Sequence, residues 1–223
     1  MNDIKLGMRL LRYAYGLKMN LTLLVIFIAV DILCFVLELM GIETAYTGFG
    51  GYLLFAVSMV PVQFLFSLNT VSAVLSSPFR KKLQTSVPAA LSFWGMAAAY
   101  LLFVLQKLAA ALIQPDRIEQ ICMQIIGIAC IGAVIMIFTG ILYKFFIGFF
   151  GMCFGLPSLV SIYFMLFTDC NLFENKMASL MWSILLGAAL ITAGAAMEYG
   201  FLHLFYRKPV SPRSVGGNLR NEL

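Results

Sequence analysis

The chain has 223 residues, of which 62% are hydrophobic and only 11% are charged, and its formal net charge is +5. A soluble domain carries about 25% charged and about 45–50% apolar residues, so this composition excludes a soluble globular protein. Apolar runs of about 20 residues, the length that a bilayer requires of a helix, recur along the chain. We therefore predict an all-α integral membrane protein.

The first nineteen residues predict an amphipathic helix at the membrane surface. Apolar residues recur there at helical spacing, beside a stripe of basic residues. The two sets are Ile4, Met8, Leu11 and Tyr15 on the apolar side and Lys5, Arg9 and Arg12 on the basic side. Residues 1–19 are thus predicted to be an interfacial helix, which serves either as an anchor or as a lever between a cytoplasmic partner and the first span.

Six apolar runs follow, and each has the length and apolarity of a transmembrane helix. We predict spans at 21–40, 51–75, 88–113, 121–142, 145–167 and 178–205. The break between the fourth and fifth spans is short and consists of Tyr143 and Lys144. The chain is predicted to be a single transmembrane domain, with a six-helix bundle over 21–205 and a cytoplasmic tail over 206–223.

Lysine and arginine residues are distributed unevenly between the two sides of the predicted bundle. Three lie on one side, Lys107, Arg117 and Lys176, and the other twelve lie on the side of both termini. An excess of Lys and Arg marks cytoplasmic loops, so we predict a multi-pass cell-membrane protein with both termini in the cytoplasm. The same bias accounts for the basic charge, and nucleic acid is not a predicted partner.

Motifs of catalysis and of cofactor binding are absent from the sequence. The only histidine is His203, so no histidine cluster can hold a catalytic metal. The chain contains no Gly-x-x-x-x-Gly-Lys-Ser/Thr phosphate loop and no Gly-x-Ser-x-Gly nucleophile turn. We predict that the chain is not an enzyme and has no catalytic residues, metal site or cofactor.

Polar side chains inside the first two spans are the candidates for a substrate path. Asp31 lies about midway along the first span, where a carboxylate costs about 2.5–3.5 kcal/mol on insertion scales and is expected to face protein or water beside a partner. Gln63 is the predicted partner, and it forms a polar stripe with Ser67 and Thr70. These residues either bond the two spans together or line a path, and Glu38, one heptad after Asp31, favours the lining.

Small residues in the last two spans predict close helix packing. The glycines are Gly151 and Gly155 in the fifth span and Gly187 and Gly194 in the sixth. The sixth span also carries small residues at four-residue spacing, Thr192, Ala196 and Gly200. Packing within one chain and packing between two copies both remain open.

The segment 76–88 is the longest predicted interhelical segment on the cytoplasmic side. Its two prolines, Pro78 and Pro88, bracket a stretch long enough for a short helix. That stretch carries two apolar and three basic side chains, Phe79, Leu83, Arg80, Lys81 and Lys82. It either anchors the chain to anionic lipid or docks into a partner, whose groove would receive Phe79 and Leu83.

This pattern resembles the membrane subunit of an ABC-2 type ATP-driven exporter over most of the chain. Residues 2–16 match the family's interfacial connecting helix by position and pattern, and 76–88 lies where the family places its coupling helix. The resemblance implies a permease subunit that pairs with a second membrane subunit around a translocation path and docks onto a separate ABC ATPase subunit. The alternatives are a non-transporting polytopic protein of the bacteriocin-immunity or scaffold type and a proton-coupled carrier that uses Asp31.

Overall fold

A computed structural model describes residues 17–40, 51–55, 57–59, 62, 78, 80–142 and 176–206. Within this part the chain forms five α-helices: α1 (Leu17–Leu39), α2 (Arg80–Gln84), α3 (Ser86–Ile113), α4 (Ile118–Leu142) and α5 (Lys176–Phe205). A 3-10 turn at Pro115–Arg117 joins α3 to α4. Residues 51–55 and 57–59 are also helical and are called the 51–59 segment below.

Three stretches of the described chain are long and apolar enough to cross a membrane. They are Arg80–Ile113, Pro115–Ile141 and Met177–Phe205, with 34, 27 and 29 residues. The chain is therefore a helical protein with the spans of a multi-pass membrane protein, as the composition predicts.

The helix boundaries differ slightly from the predicted ones. α3 begins at Ser86 rather than Pro88, and α4 begins at Ile118 rather than Ile121. Pro88 is tolerated in the first turn of α3 because a backbone N–H at that position would have no acceptor within the helix. Residues 1–16 of the predicted interfacial helix lie outside the described residues, and so does the predicted fifth span at 145–167.

Helix α4 is the centre of the described bundle. It packs along α5, α3 packs against both, and α1 packs against α3. Buried side chains occur all round α4, which is the pattern of a helix enclosed by protein. Large apolar side chains on the outer faces of α3 and α5 are exposed, such as Leu105 and Leu185, as expected of surfaces that meet lipid.

Glycines allow α4 and α5 to approach closely. A Cβ at Gly194 would lie 2.8 Å from the Cα of Ala133, and a Cβ at Gly140 would lie 2.9 Å from the backbone oxygen of Glu198. Such distances are too short for real Cβ atoms, so both contacts require glycine.

Contacts between α4 and α5 also give their relative direction. Gly132 faces Ile191, Ala133 faces Gly194, and Gly140 faces Glu198. Residue numbers increase together along the two helices, so α4 and α5 run parallel.

The other helix directions follow in the same way. Asp31 pairs with Gln106, and the backbone oxygen of Leu39 meets Gln114, so α1 and α3 run parallel. In contrast, Gly51 meets Phe103 while Ser58 meets Gly95, so the 51–59 segment runs antiparallel to α3.

Candidate functional site

Polar side chains on one face of α1 turn that helix toward α3. Asp31, Cys34 and Glu38 are all buried, and their i, i+3 and i+7 spacing places them on one helix face. The opposite face of α1 exposes apolar side chains such as Leu33 and Val36. Because α1 is apolar nearly all round, its few polar groups decide which side meets protein.

Glu38 forms a buried ion pair with Lys107 of α3. The Lys107 ammonium Nζ lies 2.7 Å from Oε2 of Glu38 and also contacts Oε1. Lys107 is 1% exposed and Glu38 is 6% exposed. The same ammonium lies 5.3 Å from the centroid of the Phe103 ring, within cation–π range. A charge in this environment needs a partner, since removing an ion from water costs several kcal/mol.

Two glutamines, Gln106 of α3 and Gln114 directly after its end, complete this site. Gln106 Nε2 donates a 2.7 Å hydrogen bond to Oδ2 of Asp31. Gln114 Nε2 approaches the backbone oxygens of Glu38 and Leu39 at 3.2 and 3.3 Å. These oxygens belong to the last turn of α1, where carbonyl groups receive no N–H donor from within the helix. We call Asp31, Glu38, Gln106, Lys107 and Gln114 the ion-pair site.

A second polar site lies where α3, α5 and the 51–59 segment meet. Glu198 of α5 is fully buried, and its Oε2 lies 2.7 Å from the Ser92 hydroxyl of α3. The other carboxyl oxygen, Oε1, is buried and has no hydrogen-bond partner among the described residues. Met59 places its sulfur 3.9 Å from the Ser92 hydroxyl and 3.8 Å from that of Thr139 on α4. We call Glu198, Ser92, Met59 and Thr139 the Glu198 site.

The structure gives Asp31 a partner that the sequence did not indicate. Asp31 is buried against protein, as the cost of a carboxylate in the membrane leads us to expect, but it accepts its bond from Gln106. The predicted partner, Gln63, lies outside the described residues. Ser67 and Thr70 of the same predicted stripe lie outside them too.

Lys107 was counted from the sequence on the outer side of the bundle, and the structure shows that its side chain is buried there and not exposed. Its ammonium is buried and paired within the protein, so Lys107 does not contribute to a polar surface.

The predicted coupling segment is helical in its described part. Arg80, Lys81 and Lys82 lie in α2 with exposed side chains, whereas Leu83 is 6% exposed. Leu83 is therefore covered by its own chain and is unavailable to a partner's groove in this conformation, contrary to the predicted docking role. Phe79 lies outside the described residues.

The predicted packing residues divide into two groups. Gly187 meets the Tyr100 hydroxyl and ring, and Gly194 meets Ala133, so both lie at helix contacts. Thr192, Ala196 and Gly200 are exposed, and a Cβ at Gly200 would meet nothing within 4 Å. That four-residue spacing does not mediate packing among the described helices. Gly151 and Gly155 lie outside the described residues.

Sequence reasoning missed Gln106, Lys107 and Glu198 as members of buried sites. A signal for the last two was present, because an ionisable residue inside a span must face protein or water. Glu198 lies well inside the predicted span 178–205, and Lys107 lies well inside 88–113. Glu38 lies one residue before the last residue of α1, and Lys107 lies six before the last residue of α3. Since both predicted spans end on the same side of the membrane, opposite charges near these ends would have suggested their pairing.

Comparisons with protein-family models, with curated proteins and with solved structures found no match. Within the described ranges, no group of three or more His, Cys, Asp or Glu side chains could hold a metal ion.

Proposed function

We propose that the chain is the membrane-spanning permease subunit of an ABC-type exporter, with six spans and both ends in the cytoplasm. In this proposal it pairs with a second membrane subunit in the bilayer, and a separate ABC ATPase supplies the energy. The observation that carries the proposal is the short basic helix α2, which directly precedes the membrane-crossing helix α3.

Helix directions support the six spans. α1 and α3 run parallel, so the chain between them has to return across the membrane, which fits a second span at 51–75. α4 and α5 also run parallel, and 33 residues, 143–175, join them. One crossing needs about 20 residues, so this connection is long enough for the fifth span at 145–167.

The position of α2 supports a coupling role. Its exposed basic side chains lie at the end of the bundle to which the sequence pattern assigns the excess of lysine and arginine, the cytoplasmic end in this proposal. Leu83 and Gln84 of the same helix are buried, so α2 is fixed to the bundle on one side. A force applied to its exposed side would reach α3 directly, because only Thr85 separates the two helices.

Since Leu83 is buried, the partner contact is assigned to the charged side chains. Arg80 and Lys81 would meet an acidic rim of the ATPase, and Leu83 would hold α2 on α3. The ion-pair site would border the translocation path, because it places polar groups of α1 and α3 within the membrane. The substrate is not specified by these contacts.

The experiment is purification of the full chain from its native membranes, identification of bound ATPase by mass spectrometry, and measurement of ATP hydrolysis in lipid vesicles. The double variant Arg80→Ala/Lys81→Ala is expected to weaken the contact between α2 and the ATPase. The permease-stimulated ATPase activity should then fall at least several-fold. Arg117→Ala, at the opposite end of α3, is the matched control and should leave the activity unchanged.

Lipid composition separates docking from lipid anchoring. If α2 docks onto an ATPase, the loss persists in vesicles of neutral lipid. If α2 only anchors the chain, the loss appears in anionic lipid alone, since basic residues near a surface gain about 1 kcal/mol each from anionic lipid. Absence of any ABC ATPase from the purified protein would refute the exporter proposal.

One observation favours a second candidate, a non-transporting polytopic protein that acts through helix contacts. The Glu38–Lys107 pair is buried and already fully matched, as in a site that only holds two helices together. This candidate predicts stable association with another membrane protein and no change in ATP hydrolysis.

A further inference from the structure

We propose that Glu198 and Ser92 form a proton-binding site inside the helix bundle, with Glu198 carrying a proton in the conformation described here. The proposal does not depend on the exporter function. It rests on the burial of Glu198, on its unmatched oxygen and on the tight packing around it.

The hydrogen bonds around Glu198 fit a neutral carboxylic acid. Ser92 has one hydroxyl proton and two neighbouring acceptors, Oε2 of Glu198 at 2.7 Å and the sulfur of Met59 at 3.9 Å. If the carboxyl carries its own proton, it donates to the Ser92 oxygen, and the Ser92 proton turns to Met59. If the carboxyl is ionised, Ser92 supplies the single bond of a fully buried charge and Oε1 remains unmatched.

No described positive charge stands next to Glu198. Ser92 of α3 contacts its carboxyl group, Gly140 of α4 faces its backbone, and Met59 and Thr139 lie next in the same cluster; none of these four residues titrates in the physiological range. Lys107 lies fifteen residues from Ser92 on the same helix, or roughly 22 Å at 1.5 Å per residue, and it is paired with Glu38.

More distant charged groups on the packed elements do not fill this role. His203, one turn beyond Glu198 on α5, is exposed and its Nδ1 lies 3.1 Å from the backbone oxygen of Tyr199. Arg80 and Lys81 of α2 are exposed, and Glu119 lies at the opposite end of α4.

A proton fits this site better than a metal cation. Hard cations such as calcium need six to eight oxygen ligands, whereas the site offers the two carboxyl oxygens, the Ser92 hydroxyl and a soft thioether sulfur. Glu198 and Ser92 are both 0% exposed, so the packed helices leave little volume for an ion beside the carboxyl group. A proton needs no such volume.

Infrared difference spectroscopy of the full chain in lipid vesicles at neutral pH tests the proposal. The wild type minus Glu198→Gln spectrum should contain one carbonyl band of a protonated carboxylic acid. Glu119→Gln, a change at an exposed carboxylate, is the matched control, and its difference spectrum should contain only carboxylate bands.

A second measurement needs no substitution. In wild-type protein made with carbon-13-labelled glutamate, the acid band should shift, which assigns it to a glutamic acid and not to Asp31. Loss of a carboxylate band in place of the acid band, or absence of any labelled acid band, overturns the proposal. Loss of the acid band on adding sodium or potassium chloride at constant pH would instead make the site a cation site, and would equally overturn it.

Discussion

At one end of α3, Lys107 faces the Glu38 carboxylate at 2.7 Å, whereas near the other end Ser92 offers only a hydroxyl to the equally buried Glu198. Both acids are removed from water by the same helix. In the ion-pair site, the negative charge of Glu38 is matched by the ammonium of Lys107, which contacts both carboxyl oxygens. The Glu198 site lacks such a match among the described residues.

The difference shows two ways of accommodating an acid in a membrane. A buried ion pair is stable only while both partners are present, because each ion alone carries the full cost of leaving water. A buried neutral acid carries no such cost, but it has to keep its proton. The first arrangement fixes helices, and the second is able to respond to hydration. The following changes test that contrast, from the largest expected effect to the smallest.

Removing the lysine should be the most damaging change. Lys107→Met leaves Glu38 without its counter-charge in the bundle, so the carboxyl must either stay charged or take up a proton, and breaking a buried pair in this way costs about 3–5 kcal/mol. The measurement is thermal unfolding of the purified protein in detergent micelles. Because the cost comes from the orphaned carboxylate, adding Glu38→Leu to Lys107→Met should recover most of the lost stability. If the double variant is as unstable as the single one, the pair is not the cause.

A substitution at the α4–α5 contact should have an intermediate effect. A methyl group at Gly140 would meet backbone atoms of Glu198 at 2.9 and 3.0 Å, and backbone cannot rotate away as a side chain can. Gly140→Ala is therefore expected to lower the free energy of unfolding by about 1–3 kcal/mol, the usual cost of overpacking.

Gly200→Ala is the control for this substitution, since it lies on the same helix as Glu198 and its Cβ would meet nothing within 4 Å. It should leave stability unchanged or raise it slightly, because alanine favours a helix over glycine by up to about 1 kcal/mol. Equal losses for the two variants would mean that the close contact at Gly140 does not hold the Glu198 site together.

Much of this architecture could be predicted from the sequence, because membrane length and the cost of unpaired backbone groups restrict the solutions to apolar helices. The ends of α1, α3, α4 and α5 lie within five residues of the predicted span limits. The burial of Asp31 also follows from local physics, since a carboxylate in lipid is costly wherever the chain places it.

The partners in the two sites could not be predicted in this way. Pairing of Asp31 with Gln106, and of Glu38 with Lys107, depends on the rotation and depth of α1 against α3. Neither quantity is set by the composition of a single span. Leu83 is a similar case, because its spacing fits a docking helix equally well whether that side faces a partner or its own bundle.

The smallest effect is expected for the neutral replacement at the second site. Glutamine keeps the shape of glutamic acid, and its amide can still donate a hydrogen bond to the Ser92 oxygen. If Glu198 is already neutral, Glu198→Gln removes no charge, and the free energy of unfolding at neutral pH should change by less than about 1 kcal/mol, within the range of a single hydrogen bond. The matched change Glu38→Gln leaves Lys107 without its counter-charge, and it should cost several kcal/mol. Thermal unfolding of both variants in the same micelles makes the comparison.

A clear gain in stability for Glu198→Gln would show that the wild-type carboxyl was ionised, since removing a buried unpaired charge relieves its cost. A loss as large as that of Glu38→Gln would show that Glu198 has a charged partner, and the contrast between the two sites would then disappear.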